Sequence, residues 1–131
     1  MISKSIFFAA VTTLASVLLF ADIREARAAV NIVNCPSFTA TPYALPNGTH
    51  GNNYALSMGN ASLSCAQATN YAKKLITEHA PVGHIGQFML SGGPAGYECA
   101  AQGDSTGLAY RGGCNKPSAD FSGPSFGWRP E

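Results

Sequence analysis

The spacing of apolar residues after Ser64 predicts an amphipathic helix. Steps of three and four residues give one apolar side, made of Ala68, Tyr71, Ala72, Leu75, Ile76 and His79. Ser64 can cap the N-terminus of this helix, and Pro81 with Gly83 is expected to end it. Cys65 falls on the same side as Ala68, so its sulfur is expected to point towards the core or towards the preceding segment.

Three short runs after the helix predict an antiparallel meander. These runs are residues 85–90, 97–102 and 108–113, and turn-forming residues separate them. We expect the predicted helix to pack on this three-stranded sheet. The pattern therefore predicts an α+β fold, loop-rich, with one amphipathic helix on a small antiparallel sheet.

The flanking segments show no sustained period. Residues 29–61 are rich in Pro, Asn, Gly, Thr and Ser, which predicts an extended, turn-rich arm with one short strand near residues 30–33. Residues 116–131 form an irregular tail that contains Phe121, Phe126 and Trp128. These rings either fold back onto the sheet or, together with Tyr97, form a recognition patch. Residues 62–131 are expected to hold the helix and sheet, and residues 29–131 to form one domain.

The first 28 residues have the pattern of a secretory signal peptide. Lys4 precedes an uncharged, apolar run, and Ala26 and Ala28 are small residues at the positions that a signal peptidase reads. Cleavage is expected after Ala28 or Ala29, with no membrane span in the mature chain. An uncleaved membrane anchor is the alternative, because charged residues surround the cleavage region. The predicted location is secreted or extracytoplasmic.

All four cysteines, Cys35, Cys65, Cys99 and Cys114, follow this leader. An even number of cysteines in an exported chain indicates two disulfides, and four cysteines allow three pairings. We favour Cys35 with Cys65, which tethers the arm. We also favour Cys99 with Cys114, because cysteines opposite each other on neighbouring strands have the short separation that a disulfide needs. Paired Cys-x-x-Cys spacing is absent from the sequence, so neither a metal site nor a cofactor is predicted.

Net charge argues against nucleic acid as the partner. The leader holds three of the eight basic and two of the seven acidic residues, so five of each remain in the mature part. A neutral domain has no basic stripe for a phosphate backbone, and nucleic acid is therefore not expected as a ligand. Two glycosylation sequons begin at Asn47 and Asn60. They would be modified in a eukaryotic secretory pathway and have no meaning in a bacterium.

Four short motifs lie between Cys65 and Trp128. Cys65-Ala66-Gln67-Ala68 opens the predicted helix, Gly96-Tyr97-Glu98-Cys99 lies on a predicted strand, Cys114 lies on the next, and Phe126-Gly127-Trp128 follows near the end. Together they resemble a loose class of small secreted bacterial domains, especially actinobacterial ones, whose function is unknown. The resemblance implies export and a shape of one helix on three strands. It implies no activity.

One catalytic hypothesis uses His84, Glu98 and Arg111. A general base, a general acid and a phosphate clamp on one sheet face are the arrangement of small secreted ribonucleases. Pairing Cys99 with Cys114 places Arg111 opposite Gln102, however, roughly 13 Å along the sheet from Glu98. We therefore expect a non-catalytic binding or envelope-associated protein, with a protein or a cell-envelope component as its unidentified partner. The alternatives are a ribonuclease-like hydrolase, or an inhibitor or toxin-like effector whose loop from Ser91 to Gly96 contacts a target.

Overall fold

Alternating apolar residues in the N-terminal part build the first two strands. The computed structural model describes residues 30–131, so the predicted leader, residues 1–28, lies outside the described part. Strand β1 is Ile32–Ala44 and strand β2 is His50–Gly59, and the two pair antiparallel. Tyr54, Leu56 and Met58 of β2 are buried, because alternate side chains of a strand point to the same face.

Strand β1 contains two prolines and lies at an edge of the sheet. Its pairing with β2 shifts between Cys35 and Phe38, and again between Thr39 and Tyr43. Pro36 falls in the first irregularity and Pro42 in the second. Proline lacks the N–H that a sheet ladder needs, so edge positions and bulges are where a strand tolerates it.

The helix α1 spans Cys65–Ile76 and begins at the predicted cap. The Ser64 hydroxyl accepts a hydrogen bond from the backbone N–H of Gln67, and the Gln67 side chain accepts one from the N–H of Ser64, which is a capping box. Ala68, Ala72, Leu75 and Ile76 are the buried residues of the helix.

The helix ends earlier than the sequence pattern predicts. Thr77 is its C-cap, and the Thr77 hydroxyl donates to the carbonyl of Lys74. The next backbone groups pair with the sheet instead: Glu78 accepts from the N–H of Ala109, and His79 forms a bridge with Leu108. The expectation that His79 lies on the apolar side of the helix is therefore wrong, because His79 is exposed and lies beyond the helix.

Four further strands complete one antiparallel sheet. They are β3 (Gln87–Leu90), β4 (Glu98–Gly103), β5 (Ala109–Asn115) and β6 (Ser125–Pro130). The order across the sheet is β1-β2-β6-β5-β4-β3. Strand β6, from the end of the chain, thus lies between β2 and β5 and joins the N-terminal hairpin to the C-terminal strands.

The predicted fold class is wrong in the size of its sheet. The structure is mostly sheet, with six strands and one short helix, instead of three strands under a helix. Residues 32–44 and 50–59, expected in a turn-rich arm, form two strands. Residues 125–130, expected in an irregular tail, form a third. Tertiary pairing explains the difference, because each of these strands is completed by partners that are remote in sequence.

Two disulfides join the elements, and their pairs are the ones favoured from the sequence. Cys35 of β1 is bonded to Cys65 at the start of α1, and Cys99 of β4 to Cys114 of β5. The described part of the chain has no free cysteine. Disulfides persist in oxidising surroundings, so the two bonds indicate an oxidising environment such as the extracellular space.

Candidate binding face

The sheet has two faces of opposite character. The inner face carries the apolar side chains and is covered by α1, so that Tyr71 of the helix lies 6.5 Å from Phe126 of β6 between ring centroids. On this face Trp128 is buried, and its indole N–H donates to the carbonyl of Ala109. The hydroxyl of Tyr54 donates to the carbonyl of Thr41, and burial raises the pKa of Tyr54 to about 12.

The opposite face, called here the outer face, carries a groove of about 890 Å³ that crosses the strands. Strand register places the small residues of its floor side by side: Ala100, Gly113, Gly127 and Ser57. Long polar side chains stand along one side of this floor: Gln87, Gln102, Arg111 and Arg129. Asn34 of β1 pairs with Ser57 and lies at the β1 end of the row of small residues. The groove is therefore polar, with guanidinium and amide groups above a floor of small residues.

Glycine leaves the middle of the groove without side chains. Gly113 of β5 and Gly127 of β6 are paired, and a Cβ at Gly113 would lie 2.9 Å from the carbonyl oxygen of Phe126. Such a separation is shorter than van der Waals contact, so a side chain there would force the strands to shift. The close approach of β5 and β6 thus leaves backbone as the floor at the centre of the outer face.

The three residues of the catalytic hypothesis do not meet. Arg111 pairs with Gln102 and Glu98 pairs with Asn115, which leaves the two charges four residues apart along the outer face. The ring of His84 packs edge-on against Phe88, whose side chain is buried on the inner face. The imidazole therefore lies at the β3 edge of the sheet, away from the face that holds the carboxylate and the guanidinium.

The loop from Ser91 to Gly96 is held against the body of the protein. The Glu78 carboxylate accepts hydrogen bonds from the backbone N–H groups of Ser91 and Gly92. Gly93 packs against the sulfur of Cys99 with no room for a side chain, and Pro94 is buried. The loop is thus anchored from Ser91 to Pro94, whereas Ala95 and Gly96 are exposed.

Two of the three residues predicted as a recognition patch, Tyr97, Phe126 and Trp128, are buried. Phe126 is 4% exposed and Trp128 is 2% exposed, because both belong to the inner face of β6. Tyr97 is half-buried, with its ring 6.1 Å from that of Phe126. Of the aromatic residues in the tail, only Phe121, at 96% exposure, projects into solvent.

Sequence reasoning placed Arg111 on an exposed face and missed the groove around it. Arg129, Gly127 and Ser57 were not candidates, because their strands were not predicted. One signal was present: Phe126 and Trp128 alternate with Gly127 and Arg129, which is the period of a strand with one polar face.

The two sequon asparagines have structural hydrogen bonds. The amide of Asn60 donates to the carbonyl of Ser122, and its oxygen accepts from the N–H of Asn31. The oxygen of Asn47 accepts from the N–H of Thr49 within the β1–β2 turn. Both side chains thus help to hold local backbone in place.

Within residues 30–131, no three His, Cys, Asp or Glu side chains come together as metal ligands. The same part of the chain has no helix that is long and apolar enough to cross a membrane. No protein-family model, no curated protein and no solved structure matches this chain.

Proposed function

We propose that the protein is secreted and acts as a non-catalytic binding protein, with the groove of the outer face as its binding surface. Two disulfides, with the export signal predicted for residues 1–28, support a site of action outside the cytoplasm. The partner is a protein or a component of the cell envelope.

The observation that carries this proposal is the difference between the two faces. Helix α1 and the aromatic residues fill the inner face, whereas no described residue covers the groove on the outer face. The residues around the groove are long, polar and exposed, as in Gln102, Arg111 and Arg129. Side chains of this kind at a concave site provide hydrogen bonds that fix the orientation of a ligand.

The residues placed nearest to each other in this groove suit recognition and not catalysis. Arginine and glutamine donate hydrogen bonds at neutral pH, and neither acts as a nucleophile or a general base there. Glu98 and His84, the two groups of the catalytic hypothesis that could transfer a proton, do not line the groove. Binding is thus the function that the geometry supports best.

Site-specific photo-crosslinking in the organism that produces the protein tests this function. A photoreactive residue at Ser57, in the groove, is compared with one at Lys73, which is exposed on α1. We expect a discrete crosslinked adduct from position 57 and none from position 73. Adducts from position 73 alone, or from neither position, would contradict the proposal.

A further inference from the structure

Two arginines of the outer face are cross-strand neighbours. Gly112 of β5 pairs with Trp128 of β6, Arg111 precedes Gly112, and Arg129 follows Trp128. Arg111 and Arg129 therefore lie one residue beyond the last paired position of these antiparallel strands, and both line the groove of the outer face. Directly paired positions have Cβ atoms roughly 5 Å apart, and continuing the register gives the two arginines a similar separation.

The nearest neighbours of this arginine pair are uncharged. Gln102 pairs with Arg111, and Ala55 pairs with Arg129. The next positions along the two strands on this face are Gly113 and Gly127. Like charges opposite each other destabilise a sheet. The repulsion between the two guanidinium groups therefore lowers the stability of the free protein, and these uncharged neighbours do not reduce it.

Most carboxylates of the described chain are occupied elsewhere. Glu78, Asp104, Asp120 and Glu131 each accept hydrogen bonds from backbone or hydroxyl groups outside the groove. The fifth, Glu98, lies on the outer face opposite Asn115, which is roughly 13 Å along the strands from Arg111. Within residues 30–131, no carboxylate therefore neutralises the two guanidinium groups, and an anionic group from another molecule could pair with both.

We propose that Arg111 and Arg129 bind the carboxylates of an extended acidic segment of a partner protein. This inference rests on the proposed function and adds the chemistry of the ligand. The guanidinium group presents a planar fork of N–H donors that matches a carboxylate, and each such hydrogen bond is strengthened by charge. Charge complementarity is the feature that identifies the occupant.

The remaining groove residues fit a peptide lying across the strands. Six strands about 4.8 Å apart span roughly 24 Å, which is the length of about seven extended residues. Gln87, Gln102 and Asn34 carry amides that both donate and accept, as peptide groups do. The glycine floor at Gly113 and Gly127 leaves room for the side chains of the bound segment.

Single-stranded nucleic acid is less well matched to the same groove. Proteins that bind it stack the bases on aromatic side chains. The aromatic rings nearest the groove, those of Trp128 and Phe126, are buried on the inner face.

Fluorescence anisotropy with a labelled hexaglutamate peptide tests the inference on the intact, oxidised protein. We expect saturable binding that weakens as salt is raised and no binding of a hexaglutamine peptide. The double variant R111Q/R129Q should weaken hexaglutamate binding by at least about tenfold, since each arginine contributes charge-assisted hydrogen bonds. The matched control K73Q/K74Q removes the same charge from α1 and should leave the affinity unchanged.

No binding of hexaglutamate would overturn the inference, and so would an equal loss of affinity in the arginine and lysine variants. Tighter binding of polygalacturonate or polyphosphate would also overturn it, because the site would then belong to a non-peptide polyanion. An adduct from position 57 together with no hexaglutamate binding would remove the acidic ligand and leave the proposed function standing. If position 57 gives no adduct and hexaglutamate does not bind, the acidic ligand and the proposed function are both wrong.

Discussion

The indole ring of Trp128 lies directly against Gly112 in the neighbouring strand. A Cβ at Gly112 would come within 2.8 Å of Cζ2 of Trp128, and the indole N–H is committed to the carbonyl of Ala109. The buried indole ring is therefore fixed by this contact on one side and by its hydrogen bond. The contact joins β5 to β6 at the centre of the sheet, beneath the position of the arginine pair.

Replacing Gly112 by alanine should destabilise the protein by about 1–3 kcal/mol, the usual cost of overpacking a core. Urea unfolding followed by circular dichroism measures this change. The matched control is Gly127→Ala on the outer face of β6, where a Cβ would lie 3.2 Å from its nearest atom. We expect a clearly smaller loss there. Equal losses would contradict the close packing around Gly112, where a Cβ would meet the carbonyl oxygen of Ala100 at 2.5 Å as well as Trp128.

Removal of the Cys99–Cys114 disulfide should cost more stability than removal of Cys35–Cys65. Loop length alone predicts the opposite by roughly 0.6 kcal/mol, because the loops differ by a factor of two, at 15 and 30 residues. Cys99 and Cys114 are buried in the core, however, and their replacement by alanine also leaves a cavity.

Double Cys→Ala variants of each pair, compared by urea unfolding, test this order. Each should lose about 2–4 kcal/mol from the lost crosslink, with an additional loss for the buried pair. A greater loss for the Cys35–Cys65 variant would show that loop length outweighs burial.

Asp104 should make the stability of the protein sensitive to acid. Partial burial acts to raise the pKa of Asp104, but hydrogen bonds from Ala44, Thr106 and Leu108 outweigh burial and lower that pKa. A carboxylate with a lowered pKa stabilises the fold above its unfolded pKa of about 3.9 and loses this effect as pH falls through the folded pKa.

The variant Asp104→Asn should therefore be less stable than the natural protein by about 1–2 kcal/mol at neutral pH. The difference should shrink as pH falls below about 4. Thr106→Val keeps the carboxylate, removes one hydrogen bond to it and should show a smaller loss. Urea unfolding between pH 2.5 and 7 measures both, and a difference that grows in acid would contradict this role.

Iodide should quench the fluorescence of the native protein only weakly. Trp128 is the single tryptophan of the chain, and its 2% exposure keeps the indole away from a charged quencher. The guanidinium-unfolded protein provides the control, with much stronger quenching. Equal quenching in both states would place Trp128 at the surface and revive the recognition patch.

Local features of the sequence were sufficient to predict some elements of the fold. The Ser64 capping box and the apolar period after it determine where α1 begins. The spacing of Cys99 and Cys114 determines the β4–β5 register, including the pairing of Gln102 with Arg111. Each of these depends on residues that are close in sequence.

The missed elements depend on distant partners. Strand β1 contains Pro36 and Pro42, which count against a strand until bulges at a sheet edge accommodate them. In strand β6 the apolar alternation consists of Phe126 and Trp128 alone. This strand pairs with β2, which lies about seventy residues earlier in the chain. Arg129 could not be recognised as a neighbour of Arg111 without the position of β6.

The most direct test of the outer face as a binding surface is a nuclear magnetic resonance titration of the isotope-labelled protein with hexaglutamate. We predict that the amide signals of Gly113, Gly127 and Ser57 shift progressively, while those of Ala68 and Ala72 in α1 stay in place. Shifts centred on α1 would contradict the outer face as the binding surface, whereas no shift at any residue would remove only the acidic ligand.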